Sequence, residues 1–168
     1  MSEFCSSSWL VLRTKSRHEG VVERALQLKQ ITSYLPTQRL MRQRQGRKRE
    51  VELPLFPGYV FVRPRDDQYE GMRYIRGSCG LILSSNSTPA TIPEQDLEAV
   101  RVLVNRCSSV SVDDGLVEGQ RVRVIDGPLA GIEGELVQIK QQHLLVLNVE
   151  LINRSVRVEV DRDLIAAL

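Results

Sequence analysis

The chain opens on alternation. In residues 8–14 (SWLVLRT), Trp9, Val11 and Arg13 share one face of a predicted strand, and Leu10 and Leu12 the other. The spacing then turns helical. Ser16 and Glu19 stand at capping-box distance, where hydroxyl and carboxylate satisfy backbone N–H groups reciprocally. Val22, Ala25, Leu26 and Lys29 follow on one side, with an end expected before Thr32. Tyr34-Leu35-Pro36 begins an extended segment, because a residue before proline is pushed out of the α region. Further on, prolines 54, 57 and 64 bracket a strand from Gly58 to Val62. There Tyr59 and Phe61 share a face opposite Val60 and Val62, which predicts two exposed aromatics over two buried valines. A short helix over Asp67–Arg73 and a strand over Gly80–Leu83 come next. Pro93-Glu94 opens a second full helix with Leu97, Val100, Val104 and Cys107 on its apolar face.

Residues 108–118 lose periodicity and are rich in Gly, Ser and Asp, the pattern of a linker. Beyond them the pattern is wholly β. Residues 121–125 alternate, Asp126-Gly127-Pro128 turns, and Gly131 and Gly134 punctuate. Residues 135–140, 144–151 and 155–160 complete a set of short strands. Strands so short avoid exposed edges by closing on themselves. The expectation is α+β: residues 1–107 form an antiparallel sheet flanked by helices, and residues 119–168 form a small five-stranded barrel.

Charge divides the chain at the same place. The net charge of +2 conceals 17 Lys+Arg against 11 Asp+Glu up to residue 108, and 6 against 10 after it. A basic half joined to an acidic half implies modules with different partners, the basic one suited to nucleic acid. Residues 39–49 (RLMRQRQGRKR) concentrate this charge: Arg39, Arg42, Arg44, Arg47, Lys48 and Arg49 surround Gly46 with no acid among them, as in a hairpin tip or mobile loop. Cys5, Cys79 and Cys107 are odd in number and lack metal-ligand spacing, which fits free thiols in a reducing cytoplasm. The opening residues lack a basic n-region, so no secretory leader is expected, and no apolar run is long enough for a membrane helix. A phosphate-cradling glycine loop, a His/Cys/Asp cluster and paired acids on a helical face are also missing, so neither catalysis nor a cofactor or metal is expected.

Two stretches carry a resemblance. Pro54-Leu55-Phe56-Pro57-Gly58-Tyr59-Val60-Phe61-Val62, after a basic loop, resembles the signature of the NusG N-terminal domain. Residues 119–131 (GQRVRVIDGPLAG), with Gly134 beyond, resemble a KOW motif. Together they cover nearly the whole chain. Trp9, Thr14-Lys15-Ser16-Arg17, Glu19, Tyr34-Leu35-Pro36 and residues 47–55 further resemble the specialised UpxY, LoaP and RfaH-like antiterminators.

The resemblance implies a monomeric transcription elongation and antitermination factor. Its N-terminal domain would bind the coiled-coil clamp helices of the largest RNA polymerase subunit and suppress pausing. By position, Trp9, Phe56, Pro57, Tyr59 and Phe61 are its polymerase-binding candidates. Phe56 and Trp9 fit core packing equally well, whereas Tyr59 fits an interface better. Arg42, Arg44, Arg47, Lys48 and Arg49 would lie near upstream or non-template DNA. Arg13, Lys15, Arg17 and His18 occupy the turn where sequence-reading relatives meet DNA. Leu129, Ile132 and Ile152 fall where the KOW module meets a small-subunit ribosomal protein or Rho, though a place in the barrel core suits them too. The RfaH-like resemblance also raises refolding of the second module into helices. Gly127, Pro128, Gly131 and Gly134 oppose it, each interior Gly costing ~1 kcal/mol and Pro ~3, so the β form is expected. The competing class is a ribosomal or general RNA-binding KOW protein, disfavoured by the acidic second half.

Overall fold

The computed structural model describes residues 8–168, so Cys5 lies outside the described residues. Its strands are β1 (Trp9–Thr14), β2 (Thr32–Tyr34), β3 (Thr37–Arg44), β4 (Arg47–Pro54), β5 (Tyr59–Arg63), β6 (Ser78–Leu81), β7 (Thr91–Ile92), β8 (Ser111–Asp114), β9 (Gln120–Val124), β10 (Glu133–Ile139), β11 (Gln142–Val149), β12 (Arg154–Glu159) and β13 (Ile165–Ala167). The helices are α1 (Glu19–Leu28), α2 (Tyr69–Met72) and α3 (Glu94–Arg106). The fold is α+β, and the chain divides into two compact units after Glu94.

In the first unit the sheet order is β2-β5-β1-β6, with β7 also pairing β1, all antiparallel. Alternation sorts its faces as the sequence predicts. Leu10, Leu12, Val60 and Val62 pack with Val22 and Leu26 of α1 and with Ile31, Met72 and Ile75 in one buried cluster. The opposite face carries Trp9, Val11, Arg13, Tyr59, Phe61 and Arg63, since Val11 pairs Phe61 and Arg13 pairs Tyr59. Here the expectation of two exposed aromatics is corrected. Phe61 is fully buried and only Tyr59 is half-buried. Phe61 belongs to a strand paired on both sides, with Phe56 edge-on to its ring at 6.0 Å and Tyr34 stacked at 6.4 Å. Burial on both faces replaces alternation wherever a central strand is covered twice.

Of the two readings of the basic stretch, the hairpin tip is the one the structure bears out, with paired strands running up to the turn. β3 and β4 form a two-stranded ribbon in full register from Thr37↔Pro54 to Arg44↔Arg47. Gln45 (φ 51°) and Gly46 (φ 74°) close it. Positive φ at both central residues is the signature of the two-residue hairpin turn whose twist matches its strands.

The second unit holds one antiparallel sheet, in order β13-β9-β10-β11-β12-β8. It has six strands rather than five. The additional strand, β8, pairs β12 and lies inside the segment expected to be a linker. Its support is non-local: Arg154 stands 3.1 Å from Asp114 and Arg157 2.8 Å from Asp113. Val122, Val124, Leu145, Leu147, Val156 and Val158 are buried on one side of this sheet. A single small sheet can bury a core of its own by curling around it. Gly134 allows β10 and β11 to approach closely, because a Cβ there would stand 2.6 Å from the Val146 carbonyl oxygen. Within the second motif residues 120–124 form β9 and the rest turns toward β10, with no helix in it. On α3 the buried residues are Leu97, Val100 and Leu103, so Leu103 takes the place expected for Val104. Among the described residues no helix is long and apolar enough to cross a membrane.

Candidate functional site

The segment between β4 and β5 is built to present Tyr59. The Tyr59 N–H donates to the Phe56 carbonyl at 3.2 Å, closing a turn with Pro57 at its second position and Gly58, φ 87°, at its third. Proline followed by a residue at positive φ is the type II pattern, and here only glycine meets it without strain. Two hydrogen bonds fix the turn to β1 and α1. The Thr14 N–H donates to the Gly58 carbonyl at 2.9 Å, and the Gly58 N–H donates to a Glu19 carboxylate oxygen at 2.8 Å.

That second bond corrects the capping-box expectation. The helix starts at Glu19 with His18 before it, and no side chain caps it. Glu19 is 5% exposed and spends its carboxylate on the turn 39 residues away instead. A carboxylate accepting a backbone N–H makes a charge-assisted bond of the stronger kind. Glu19 thus positions the turn at Gly58, a contact the sequence conceals behind a local motif.

The polymerase-binding candidates have different environments. Trp9, Phe56 and Phe61 are buried at 4%, 1% and 0% exposure, Pro57 is exposed, and Tyr59 is half-buried beside exposed Arg13. Trp9 also carries the Arg63 guanidinium 5.0 Å over its ring, a cation–π contact. Arg63 reaches Glu94 at 3.3 Å as well. Arg63 and Tyr34 were not singled out from sequence, although alternation from Phe61 to Arg63 was enough to find the former.

The turn from β1 to α1 holds the second group. Lys15 and Arg17 are exposed and His18 half-buried. The Lys15 N–H donates to the Gly77 carbonyl at 2.8 Å, Arg17 takes φ 62°, and the His18 Nδ1 proton is donated to the Ser16 carbonyl at 2.8 Å. A Cβ at Gly77 would come within 2.8 Å of the His18 Cβ, so the loop before β6 is pressed against this turn. Arg42, Arg44, Arg47, Lys48 and Arg49 stand apart from this turn in sequence, fully exposed on the β3–β4 ribbon. In the second unit Leu129, Ile132 and Ile152 are buried at 8%, 7% and 4% exposure, filling the core from the loops.

The family model and the sequence relatives agree on the family, and a solved structure agrees on the fold. Residues 7–101 match the family described as "Transcription termination factor nusG". The "Transcription termination/antitermination protein NusG" of Vibrio cholerae is 26% identical over 174 residues, covering 96% of each chain. The protein of the same name from Streptococcus pyogenes serotype M3 is 30% identical over 162 residues, covering 88% of this chain and 90% of its own. Among solved structures, "Domain interaction in Thermotoga maritima NusG" superposes with a TM-score of 0.54 at 21% identity, covering 96% of this chain and 97% of that one. With a family match over more than half its length and relatives aligned nearly end to end, this chain belongs to the NusG family.

Proposed function

We propose that the chain is a non-enzymatic, cytoplasmic transcription elongation and antitermination factor that rides on RNA polymerase as a monomer. The observation carrying this reading is the braced turn. A half-buried Tyr59 sits at the edge of a face rich in aromatics, directly after Gly58, whose backbone is held from two sides by Thr14 and Glu19. An aromatic on a rigid frame loses little entropy on docking, which suits an interface anchor. Its partner in this reading is the pair of clamp helices of the largest polymerase subunit. Pro57 joins the contact, while Trp9, Phe56 and Phe61 form the apolar bed beneath it.

Residues 1–107 act as the polymerase-binding half in this proposal. The basic turn at Arg13, Lys15, Arg17 and His18 and the β3–β4 ribbon lie toward upstream or non-template DNA. The second half, residues 119–168 together with β8, recruits a further partner, Rho or a small-subunit ribosomal protein. Loops anchored from inside by Leu129, Ile132 and Ile152 offer the surface. The resemblance at residues 14–19 and 47–55 supports a specialised member serving particular operons.

The general RNA-binding alternative has a specific observation against it. Arg121, Arg123, Arg154 and Arg157 in the second sheet all lie within ion-pair distance of acids on neighbouring strands. The deciding experiment is retention of the full chain on core RNA polymerase without added nucleic acid, compared with Tyr59→Ala. A loss of at least tenfold, about 1.4 kcal/mol, is expected. No retention of the parent chain sinks the proposal, and equal retention of the variant removes Tyr59 from the anchor.

A further inference from the structure

The register of the β3–β4 ribbon sorts its charges in a way the linear sequence hides. Side chains alternate across a strand, so β3 residues 40, 42 and 44 share a face with their partners 51, 49 and 47. That face carries Arg42, Arg44, Arg47 and Arg49 toward the tip and no acid. Leu40 and Val51 lie behind them. The reverse face carries Arg39, Met41, Gln43, Lys48, Glu50 and Glu52, in which Arg39 stands opposite Glu52 and the formal charges cancel. The six basic residues of the stretch 39–49 thus become a face of four arginines and a neutral back.

The arginine face is costly to the fold. Arg42 pairs directly with Arg49 and Arg44 with Arg47, and like charges directly opposite destabilise a ladder. No ion pair within the chain answers any of the four among the described residues, and all four are exposed. A two-stranded ribbon is marginal even without repulsion. The repulsion is removed by an anion with several charges in a row. Successive arginines on one face of a strand stand about 6.8 Å apart along it, comparable with the separation of neighbouring phosphates on one nucleic-acid strand. The tight turn at Gln45-Gly46 keeps the ribbon two strands wide to its end. The major groove of B-DNA, about 12 Å wide, admits a ribbon of that width, and arginine forks match both phosphate and guanine edges.

We propose that this ribbon is a one-faced duplex-DNA reader, in which Arg42, Arg44, Arg47 and Arg49 enter the major groove while Arg39 and Lys48 stay outside. The inference rests on the nucleic-acid part of the proposed function and sharpens it to a ligand class, a duplex rather than a displaced single strand. It also removes Lys48 from the contact set.

The test uses the full chain and a short fluorescent DNA duplex of arbitrary sequence, titrated by anisotropy over a salt series. Two double variants remove the same charge: Arg42→Gln with Arg49→Gln on the arginine face, and Arg39→Gln with Lys48→Gln on the reverse. The first pair is expected to weaken duplex binding at least tenfold and to lower the salt slope by about 2. The second is expected to change it less than twofold. Equal losses from both pairs, tighter binding to a single strand of the same length, or no duplex binding by the parent chain would each overturn the inference. Retention on core polymerase, measured for the same proteins, separates this result from the broader reading. Retention without duplex binding rejects the ribbon's role alone. Duplex binding without retention rejects the polymerase anchor and leaves the ribbon standing.

Discussion

The β3–β4 ribbon and the second sheet hold their arginines in opposite company. On the sheet, Arg123 shares Glu133 with Arg121, which also stands 3.7 Å from Glu135, while Arg154 and Arg157 meet Asp114 and Asp113. Each partner lies on the adjoining strand, so these charges reinforce register. On the ribbon, arginine faces arginine across the ladder. The difference separates charges paired within the fold from charges that the fold leaves unanswered. Counting basic residues along the chain does not make that separation; pairing them across strands does.

Glycines give the largest test of this contrast. Gly134→Ala puts a methyl against the Val146 carbonyl oxygen and Leu145 and Leu147, and an overpacking loss of about 3 kcal/mol is expected in denaturant unfolding. Gly46→Ala meets nothing within 4 Å. It suffers only from its positive φ, a loss of about 1 kcal/mol confined to the ribbon. If both substitutions cost the same, the ribbon is integrated into the fold and the comparison fails.

Glu19→Ala tests an acid paired with backbone rather than with a cation. Losing the acceptor leaves the Gly58 N–H without its partner, with a stability loss of about 2 kcal/mol. Glu19→Gln keeps an acceptor oxygen and is expected to recover most of that in the same thermal melts. A smaller effect comes from Glu133→Gln, which removes the acid between Arg121 and Arg123. These are largely exposed pairs, so stability is expected to fall by less than about 1 kcal/mol. Duplex-DNA affinity is expected to rise, because Arg123 loses its acid and Arg121 keeps only Glu135. Unchanged affinity would mean that pairing is not what silences the sheet's arginines.

The smallest effect is in pH. Burial first, and the nearby Glu52 second, raise the Glu23 pKa; burial and then Glu150 raise that of Asp96, against the opposing pull of Arg121. With folded pKa values above the unfolded ones, the native state binds more protons between the two. Stability from these groups therefore falls as pH rises through that window, and the full penalty is present at neutral pH. Glu23→Gln is expected to raise the melting temperature slightly at pH 7 and to flatten the gain seen on moderate acidification. A lower melting temperature at pH 7 would contradict the burial penalty.

The faces of β1 and β5 were legible because their alternation is local and complete. So was α1, apart from its start. Ser16 and Glu19 have the right spacing for a cap, but a partner at Gly58 outcompetes it, and no window of a few residues contains both groups. The strand β8 was hidden for the same reason. Ser111-Val112-Asp113-Asp114 has little apolar signal, and the arginines that hold it lie about 40 residues on. Leu129 and Ile132 read equally as surface or core and Ile152 more as surface, and burial places all three inside. Of the candidate site, the basic run was plain, while its division into two faces required the register.

The bracing of the turn at residues 56–59 has a consequence for divergence among relatives. The main chain of residues 14–18 is anchored by hydrogen bonds to the carbonyls of Gly58 and Gly77, contacts that ignore side-chain identity. Lys15 and Arg17 therefore project from a mould that stays fixed when they are exchanged. Under the proposed DNA-contacting role, preference can change at those two tips while the contacts of Glu19, Gly58 and Gly77 are kept. A transplant of residues 15–17 from a relative inherits the host's frame, and the loop is exchangeable like a key blank cut to a different pattern.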